Sequence, residues 1–531
     1  MLQSTKTMRG MVVSSHHLAA EAGLGVLREG GNAIEAMIAA AAAISVVYPH
    51  MNGLGGDGFW LISEPGRRPP RAINAVGAAA GAADAAFFRG QGADVIPSRG
   101  PLAANTAAGT ISGWQDALEI SAEWGGKLPL SRLLEDAAYH AGAGFPVTES
   151  QNRHTTEKLD ELKDVPGWAD VFLDGGTPWP VGSLFKQPAL ADTLERMAKA
   201  GLDDFYRGEL ARRLGADLER AGSPVRAEDL ARQRAVSGEP LSVKLGAGKV
   251  YNVTPPSQGL ASLIILGLFD RLGWCTEADG FAHVHGVVEA SKRAVLVRNA
   301  HVTDPAHMAV QPEDFLTDAA LDEMAGGIDA KTALPWPVPS APGDTVWLGA
   351  IDGKGRVVSF IHSIYWEFGS GVVLRDTGVQ WQNRGSSFSL EEGDLNPISP
   401  GRLPFHTNNP AMAILDDGRV MAYGTMGGEG QPQTQAALFT RYVHFAMGLQ
   451  RAITAPRWVL ARTWGAERTD LRVESRMPAD VVEALRAAGH DVTVVGPFED
   501  AMGHAGAAVL HASGVMEGAT DPRCDGAVAA F

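Results

Sequence analysis

Pro342-Gly343-Asp344-Thr345-Val346-Trp347-Leu348-Gly349-Ala350-Ile351-Asp352, followed by Gly353-Lys354-Gly355 and then Arg356-Val357-Val358-Ser359-Phe360-Ile361, is the stretch whose reading decides the fold. Two apolar runs, each too short for a helix, flank a glycine-bounded turn, which predicts a hairpin inside a sheet covered on both faces. Upstream, Gly326-Gly327-Ile328-Asp329-Ala330 leads into a tract holding Pro335, Pro337, Pro339 and Pro342, the composition of a linker. Thr345 thus stands where a loose approach meets a buried strand. A threonine there can simply open the strand, because its branched side chain suits a pleated surface. The same position would let a chain cut itself and expose a threonine whose own terminal amine serves as base. These residues alone leave both readings open.

The 531 residues suffice for about three or four domains or for one large layered unit. A formal charge of −16, from 45 basic and 61 acidic residues, gives no electrostatic footprint for nucleic acid or an anionic membrane, so small molecules are the expected partners. Cys275 and Cys524 are the whole cysteine complement, which excludes a disulfide framework and a thiolate metal cluster. Met1 to Gly10 lacks the apolar core of a secretory signal, and the longest apolar run, Ala36 to Ile44, is far short of a membrane span. A cytoplasmic location is the expectation.

Leu18 to Arg28 has helical spacing and ends at Gly30-Gly31, after which Asn32 caps a second, Ala-rich helix running to about Val47. That helix is apolar on nearly every face and should be buried against a sheet. Gly53-Leu54-Gly55-Gly56-Asp57-Gly58 matches a dinucleotide fingerprint by letter, but here the helix precedes the glycines and the strand, Phe59 to Ser63, follows them. A tight turn with a close backbone neighbour is the better reading. Helices are expected over Ser112 to Trp124 and Leu130 to Ala143, and the charge runs between Gln151 and Arg234 read as solvated faces.

After the turn Pro255-Pro256-Ser257-Gln258-Gly259, helices are expected over Leu260 to Leu272 and Phe281 to Arg298. The second carries His283 and His285, whose spacing puts them on different faces, so no metal site is expected. Met412 to Leu415 and Val420 to Tyr423 flank Asp416-Asp417-Gly418 as a second hairpin. Gly424-Thr425-Met426-Gly427-Gly428-Glu429-Gly430 then leads into a helix from about Gln433 to Met447. Amides at such a turn can hold an anion, and with no phosphate-binding lysine following, the choice is between an oxyanion hole and a purely structural turn.

Taken in order, several segments resemble the gamma-glutamyltransferase family of N-terminal nucleophile hydrolases. They are His17-Leu18-Ala19 through Gly30-Gly31-Asn32-Ala33, the Pro49-His50 to Gly58-Phe59 turn, Ala108-Gly109-Thr110-Ile111-Ser112-Gly113-Trp114, Phe368-Gly369-Ser370-Gly371, Gly427-Gly428, Ala455-Pro456-Arg457 and the terminal Asp521-Pro522-Arg523. The resemblance implies an α+β fold, a four-layer αββα sandwich made as a precursor. It implies cleavage between Asp344 and Thr345 into a large subunit, 1–344 with a flexible linker over 326–344, and a small subunit, 345–531, possibly joined as a dimer of that pair. It implies no cofactor and no metal.

By the same resemblance Thr345 is the nucleophile, Ser363 the second hydroxyl that bonds to it, and Gly427 and Gly428 the oxyanion hole, where loss of one donor costs roughly 2.7 to 4 kcal/mol of barrier. A freed threonine amine, with a reference pKa of about 7.7 to 8.0, can take the hydroxyl proton near neutral pH. The acyl-enzyme would then pass its acyl group to water or to an amine.

The departures from the family pattern concern the substrate. Val76 stands where the family has an Arg for the glutamate α-carboxylate, and Ser387 stands where it has an Asp for the α-ammonium. Arg384 replaces a Gln or Glu, His406-Thr407 replace paired serines, and Tyr365 replaces an Asn. Hydrogen bonds to charged groups contribute about 1.5 to 3 kcal/mol each, so losing the Arg and the Asp would weaken a γ-glutamyl group by roughly 3 to 6 kcal/mol, enough to change the substrate. Arg384 can grip a carboxylate with two prongs, and Tyr365, Trp366, Trp381, Phe405 and His406 add bulk. Within the family the pattern resembles the oxamate amidohydrolase branch, and the short Ser389 to Pro400 loop favours hydrolysis over transfer. The alternatives are a γ-glutamyl transpeptidase or glutathione hydrolase with a rebuilt clamp, and an uncut, non-catalytic binding protein, the latter because Trp347 and Gly349 replace polar residues of many relatives.

Overall fold

The computed structural model describes residues 3–338, 343–460 and 469–531. The decisive stretch is a hairpin. The strands of the two large sheets, in chain order, are β1 Thr5–Thr7, β2 Gly10–Ser14, β3 Asp57–Ser63, β4 Arg71–Ala75, β5 Val236–Gly238, β6 Leu241–Leu245, β7 Gly248–Asn252, β8 Asp344–Asp352, β9 Val357–Tyr365, β10 Ala411–Leu415, β11 Val420–Thr425, β12 Ala505–Leu510, β13 Met516–Thr520 and β14 Ala527–Ala530. They form two seven-stranded sheets, one ordered β14-β2-β8-β9-β3-β4-β5 and the other β1-β13-β12-β11-β10-β7-β6. Within these sheets every pairing is antiparallel. The central hairpin β8–β9 is buried at every residue, as expected for strands covered on both faces.

The six helices that make the outer layers are α1 His17–Arg28, α2 Ala33–Val47, α3 Thr110–Glu123, α4 Gly259–Phe269, α5 Phe281–His301 and α6 Gln431–Phe439. Asn32 caps α2 through a reciprocal bond with Glu35, and every residue of α2 is buried. α1 to α3 pack on the first sheet, with Trp60, Val346, Leu348 and Phe360 in their core. α4 to α6 pack on the second, with Val250, Ala413 and Tyr423. A third core, including Met11, Phe59, Trp347, Ile361, Met412 and Ala508, lies between the sheets. The order helix, sheet, sheet, helix is the four-layer sandwich expected.

Trp347 explains the residues that looked out of place after Thr345. Its indole crosses the gap between the sheets, where Gly424 and Gly506 face each other in register on β11 and β12. A Cβ on Gly424 would overlap the indole, one on Gly506 would lie 2.5 Å from Cζ3, and one on Gly349 would lie 2.6 Å from Cη2. The indole Nε1 donates to Ser359 Oγ at 2.9 Å. One large ring and three missing side chains therefore form a single packing unit.

Some boundaries shift. The α-helix expected from Gln433 to Met447 ends at Phe439 and continues as a π turn, Thr440–His444. Residues 328 to 334 of the stretch read as a linker are fastened down: Ala333 donates to the Ala488 carbonyl at 2.8 Å, and Leu334 bonds to Glu289 and Lys292. Positions 339–342 of that stretch lie outside the described residues. The letter match at Gly53 to Gly58 is a close-packed turn, with Gly55 against the Gln380 carbonyl and Gly56 against the Ser363 carbonyl.

Overpacked cores lose about 1 to 3 kcal/mol. Gly506→Ala is expected to destabilise the protein by that amount in denaturant unfolding; an unchanged midpoint would show that the indole slot is not tight.

Candidate active site

β8 and β9 pair regularly from Val346↔His362 onward, but Asp344 faces Tyr365, so the register slips at Thr345. The extra residue is on β9, where Ser363 and Ile364 stand opposite Thr345, and Thr345 finds other partners. Its amide donates to Asp344 Oδ1 at 2.7 Å. Its Oγ shares a proton between the Asp344 carbonyl at 2.5 Å and Asn408 Oδ1 at 3.2 Å, and accepts from Gln431 Nε2 at 3.2 Å. Ser363 Oγ accepts from the Tyr365 amide at 2.8 Å and donates to the same Asp344 carbonyl. The carbonyl of the Asp344-Thr345 bond is thus polarised by two hydroxyls in a site closed to water, since Asp344, Thr345, Asn408 and Gln431 have no exposed surface.

The residue before that bond is wedged in the same pocket. A Cβ on Gly343 would lie 2.9 Å from Gly428 Cα, 3.3 Å from Tyr365 Cε2 and 3.5 Å from Thr407 Oγ1. Gly427 and Gly428 have φ of 123° and 50°, and a Cβ on Gly428 would lie 2.8 Å from Gly343. A side chain at Gly428 would be both strained and blocked. Gly343 with Asp344 therefore fills the space in front of Thr345 that Gly428, Tyr365 and Thr407 enclose.

Arg384 closes the back of this space. It is fully buried, its Cζ stacks 3.7 Å over the Tyr365 ring, and Nη1 donates to Thr407 Oγ1 at 3.3 Å. Nε and Nη2 have no partner among the described residues. Burial pushes its pKa down to about 10, which leaves it charged at neutral pH. His406 Nε2 lies 3.0 Å from Asp57 Oδ2 but is poorly aligned for a hydrogen bond. Burial and the Arg384 charge hold His406 down to about 4 against the pull of Asp57, so the ring is neutral. Asp57 is fixed from its other oxygen by the Gly77 and Gly109 amides at 2.9 and 2.8 Å.

A cavity of about 900 Å³ opens on the far side of Tyr365, lined by Tyr365, Ser387, Phe405 and residues of the 389–396 loop. Ser387 sits at this mouth, with Oγ donating to the Phe405 carbonyl at 3.3 Å, and apart from the Arg384 cluster. Val76 belongs to the inter-sheet core, where it can hold no carboxylate. Trp381 is structural, with Nε1 donating to the Thr106 carbonyl at 2.9 Å.

Among the predicted residues, Thr345, Ser363, Tyr365, Arg384, Thr407 and Gly428 come together, with Gly427 beside them, His406 behind Arg384 and Ser387 outside. Sequence reasoning passed over Asn408, Gln431 and Asp57. Asn408 and Gln431 adjoin singled-out motifs, but an amide side chain carries no signal of what it faces. Asp57 lay inside the glycine-rich turn and was read as loop composition. His283 and His285 do diverge, the first to Thr440 and the second to His490. His285, Glu289 and His490 are close enough to share a cation. Glu289 is already held by Lys292 and Arg293, so a divalent ion would add to buried positive charge and fits poorly there.

The sandwich and the threonine at the register slip of its central hairpin define the class, the N-terminal nucleophile hydrolases. Residues 19–531 match the family model of gamma-glutamyltranspeptidase, and the chain belongs to that family. It is 53% identical over the full length of both chains to the oxamate amidohydrolase proenzyme of Klebsiella pneumoniae. It is 39% identical to a glutathione hydrolase-like proenzyme of Bacillus subtilis, covering 97% of each. Among solved structures, the cephalosporin acylase of Bacillus halodurans superposes with a TM-score of 0.90 at 34% identity, over 100% of this chain and 97% of that one. The chain is therefore an enzyme of this autoprocessed family.

Gln431 donates to Thr345 Oγ while its own oxygen is held by Asn409 at 3.0 Å. A single hydrogen bond is worth about 0.5 to 1.5 kcal/mol, so Gln431→Leu is expected to lower kcat by roughly 2- to 10-fold with little change in KM. A steady-state comparison in which only KM moved would show that the bond from Gln431 to Thr345 plays no part in turnover.

Proposed function

We propose that the chain cuts itself between Asp344 and Thr345, giving subunits 1–344 and 345–531, and that Thr345 then attacks a small amide bearing a carboxylate, oxamate above all, and releases ammonia. The observation that carries this reading is Arg384, a wholly buried cation with two nitrogens unpartnered among the described residues, which packs on Tyr365 and Thr407, the side chains that border Gly343 in the uncut chain. An unpaired buried charge is costly and draws in an anion.

Once the bond is cut and residues 343 and 344 withdraw, the acyl carbon of a bound amide takes the place of the Asp344 carbonyl. Thr345 Oγ then attacks it, its proton passing to the freed α-amine. Gly427 and Gly428 line the position of the oxyanion and supply its donors in this reading. Ser363 steadies Oγ, and Arg384 takes the carboxylate, with Thr407 and Tyr365 fixing its plane. The neutral side chains Tyr365, His406 and Ser387 stand where the family resemblance would place partners of the γ-glutamyl group, which supports an acyl group that bears a carboxylate but no α-amine. The 53% identity to an oxamate amidohydrolase proenzyme supports the same choice. Water is the acceptor in this reading.

We place the enzyme in the cytoplasm. Cys275 and Cys524 are both unpaired, as suits a reducing compartment. Among the described residues no helix is long and apolar enough to cross a membrane.

Two hydrogen bonds to a charged group at about 1.5 to 3 kcal/mol each amount to roughly two to four powers of ten. Arg384→Ala is expected to lower kcat/KM for oxamate by that factor, read as ammonia release, and Thr345→Ala to remain a single inactive chain. Turnover of a γ-glutamyl anilide with none of oxamate would sink the substrate assignment.

A further inference from the structure

The Asp344 side chain folds back onto the peptide bond that follows it. Oδ1 accepts the Thr345 amide at 2.7 Å, and Oδ2 is buried with no partner among the described residues. The charged groups it feels are Glu367, just past β9, Asp500, and Lys158 on the helix Glu149–Leu162. Asp500 is itself held by Arg153, His154 and His504, and Glu367 lies 3.9 Å from Arg99 and 3.7 Å from Lys158. Burial first, then Glu367, keeps the Asp344 carboxyl in its acid form well above the usual carboxylate range. The proton resides on Oδ2, because Oδ1 is accepting.

Cleavage of an amide needs such a proton, since the nitrogen cannot leave as an anion. We propose that the side-chain carboxyl of Asp344 is the proton donor to the Thr345 nitrogen during cleavage of the Asp344-Thr345 bond, a role that rests on the reading of Thr345 as the nucleophile. Thr345 Oγ bonds to the Asp344 carbonyl carbon, and its proton passes to the carbonyl oxygen it already contacts, giving a neutral tetrahedral centre. The nitrogen is no longer an amide and becomes basic. Rotation about Cβ–Cγ exchanges the two carboxyl oxygens, and Oδ2 gives the nitrogen its proton. The C–N bond breaks, the carbonyl re-forms, and the proton it sheds returns to the carboxylate. One proton has moved from Oγ to nitrogen and one acyl group from nitrogen to Oγ. Water then opens the ester, and the carboxyl ends as it began. The group is a catalytic residue of maturation, spent with the segment that carries it.

Maturation of the freshly synthesised full chain, followed by intact mass across a pH series, tests the proposal. General acids contribute about 10²- to 10⁴-fold, so Asp344→Asn, which keeps the acceptor and loses the acid, is expected to slow cleavage by that factor, with Asp344→Glu recovering part of it. The native rate is expected to hold at low pH and fall as pH rises through the elevated carboxyl pKa, while the Asn variant shows no such fall. An Asn variant that breaks before Thr345 at the native rate, or that shares the native pH profile, overturns the proposal. If the Asn variant lacks the cooperative unfolding of uncut Thr345→Ala, the native profile decides alone, and a flat one overturns the proposal. A native chain that never breaks before Thr345 would instead overturn the reading of the nucleophile.

Discussion

One carbonyl organises this protein. The oxygen of Asp344 is held between the hydroxyls of Thr345 and Ser363, and this requires that two adjacent strands keep register everywhere except at Thr345. At the slip the Thr345 amide is taken by the Asp344 side chain. The position of the Thr345 hydroxyl is therefore a property of the hairpin, and the hairpin is held by what covers it. α2, buried along its whole length, presses from one side, and Trp347 anchors the other.

Burial is what makes the local chemistry possible. In a water-filled cleft Arg384 would be hydrated, Asp344 would ionise and His406 would titrate near its ordinary range. Under the closed sandwich, Arg384 stays a cation with two donors unpartnered among the described residues, and His406 is kept neutral beside it. Low polarity raises the cost of each unpaired group and the strength of each interaction that would relieve it. The backbone at Gly343 fills the space beside Gly428, Tyr365 and Thr407. In the proposed reading the segment that ends at Asp344 and the substrate use the same volume, which would link maturation to the size of ligand the site accepts.

Tyr365 joins the two halves of the arrangement. It has a positive φ of 84°, unusual for an aromatic residue, and its ring lies against Arg384 on one side and lines the mouth cavity on the other. Strain of this kind persists where surrounding contacts fix it. Here the Ser363 hydroxyl bonds the Tyr365 amide, so the hydroxyl that polarises the carbonyl also sets the wall of the pocket.

The sequence by itself determined the hairpin, the buried helix capped at Asn32 and the second hairpin. Each follows from apolar spacing and turn residues close in the chain, as does the coincidence of Thr345 with a strand opening. Motif order carried the family, and letter-by-letter departures singled out Arg384 and Tyr365. Only the tertiary structure decided that Arg384 is buried with two nitrogens unpartnered among the described residues, that Ser387 stands at the mouth of the cavity, and that Asn408 and Gln431 reach Thr345. It also decided that Gly424 and Gly506 exist to admit Trp347. The reason is one of range. Local spacing fixes which face of an element is apolar, but charge, unsatisfied donors and a slot for an indole depend on residues tens or hundreds of positions away, and these meet only when the two sheets close on each other.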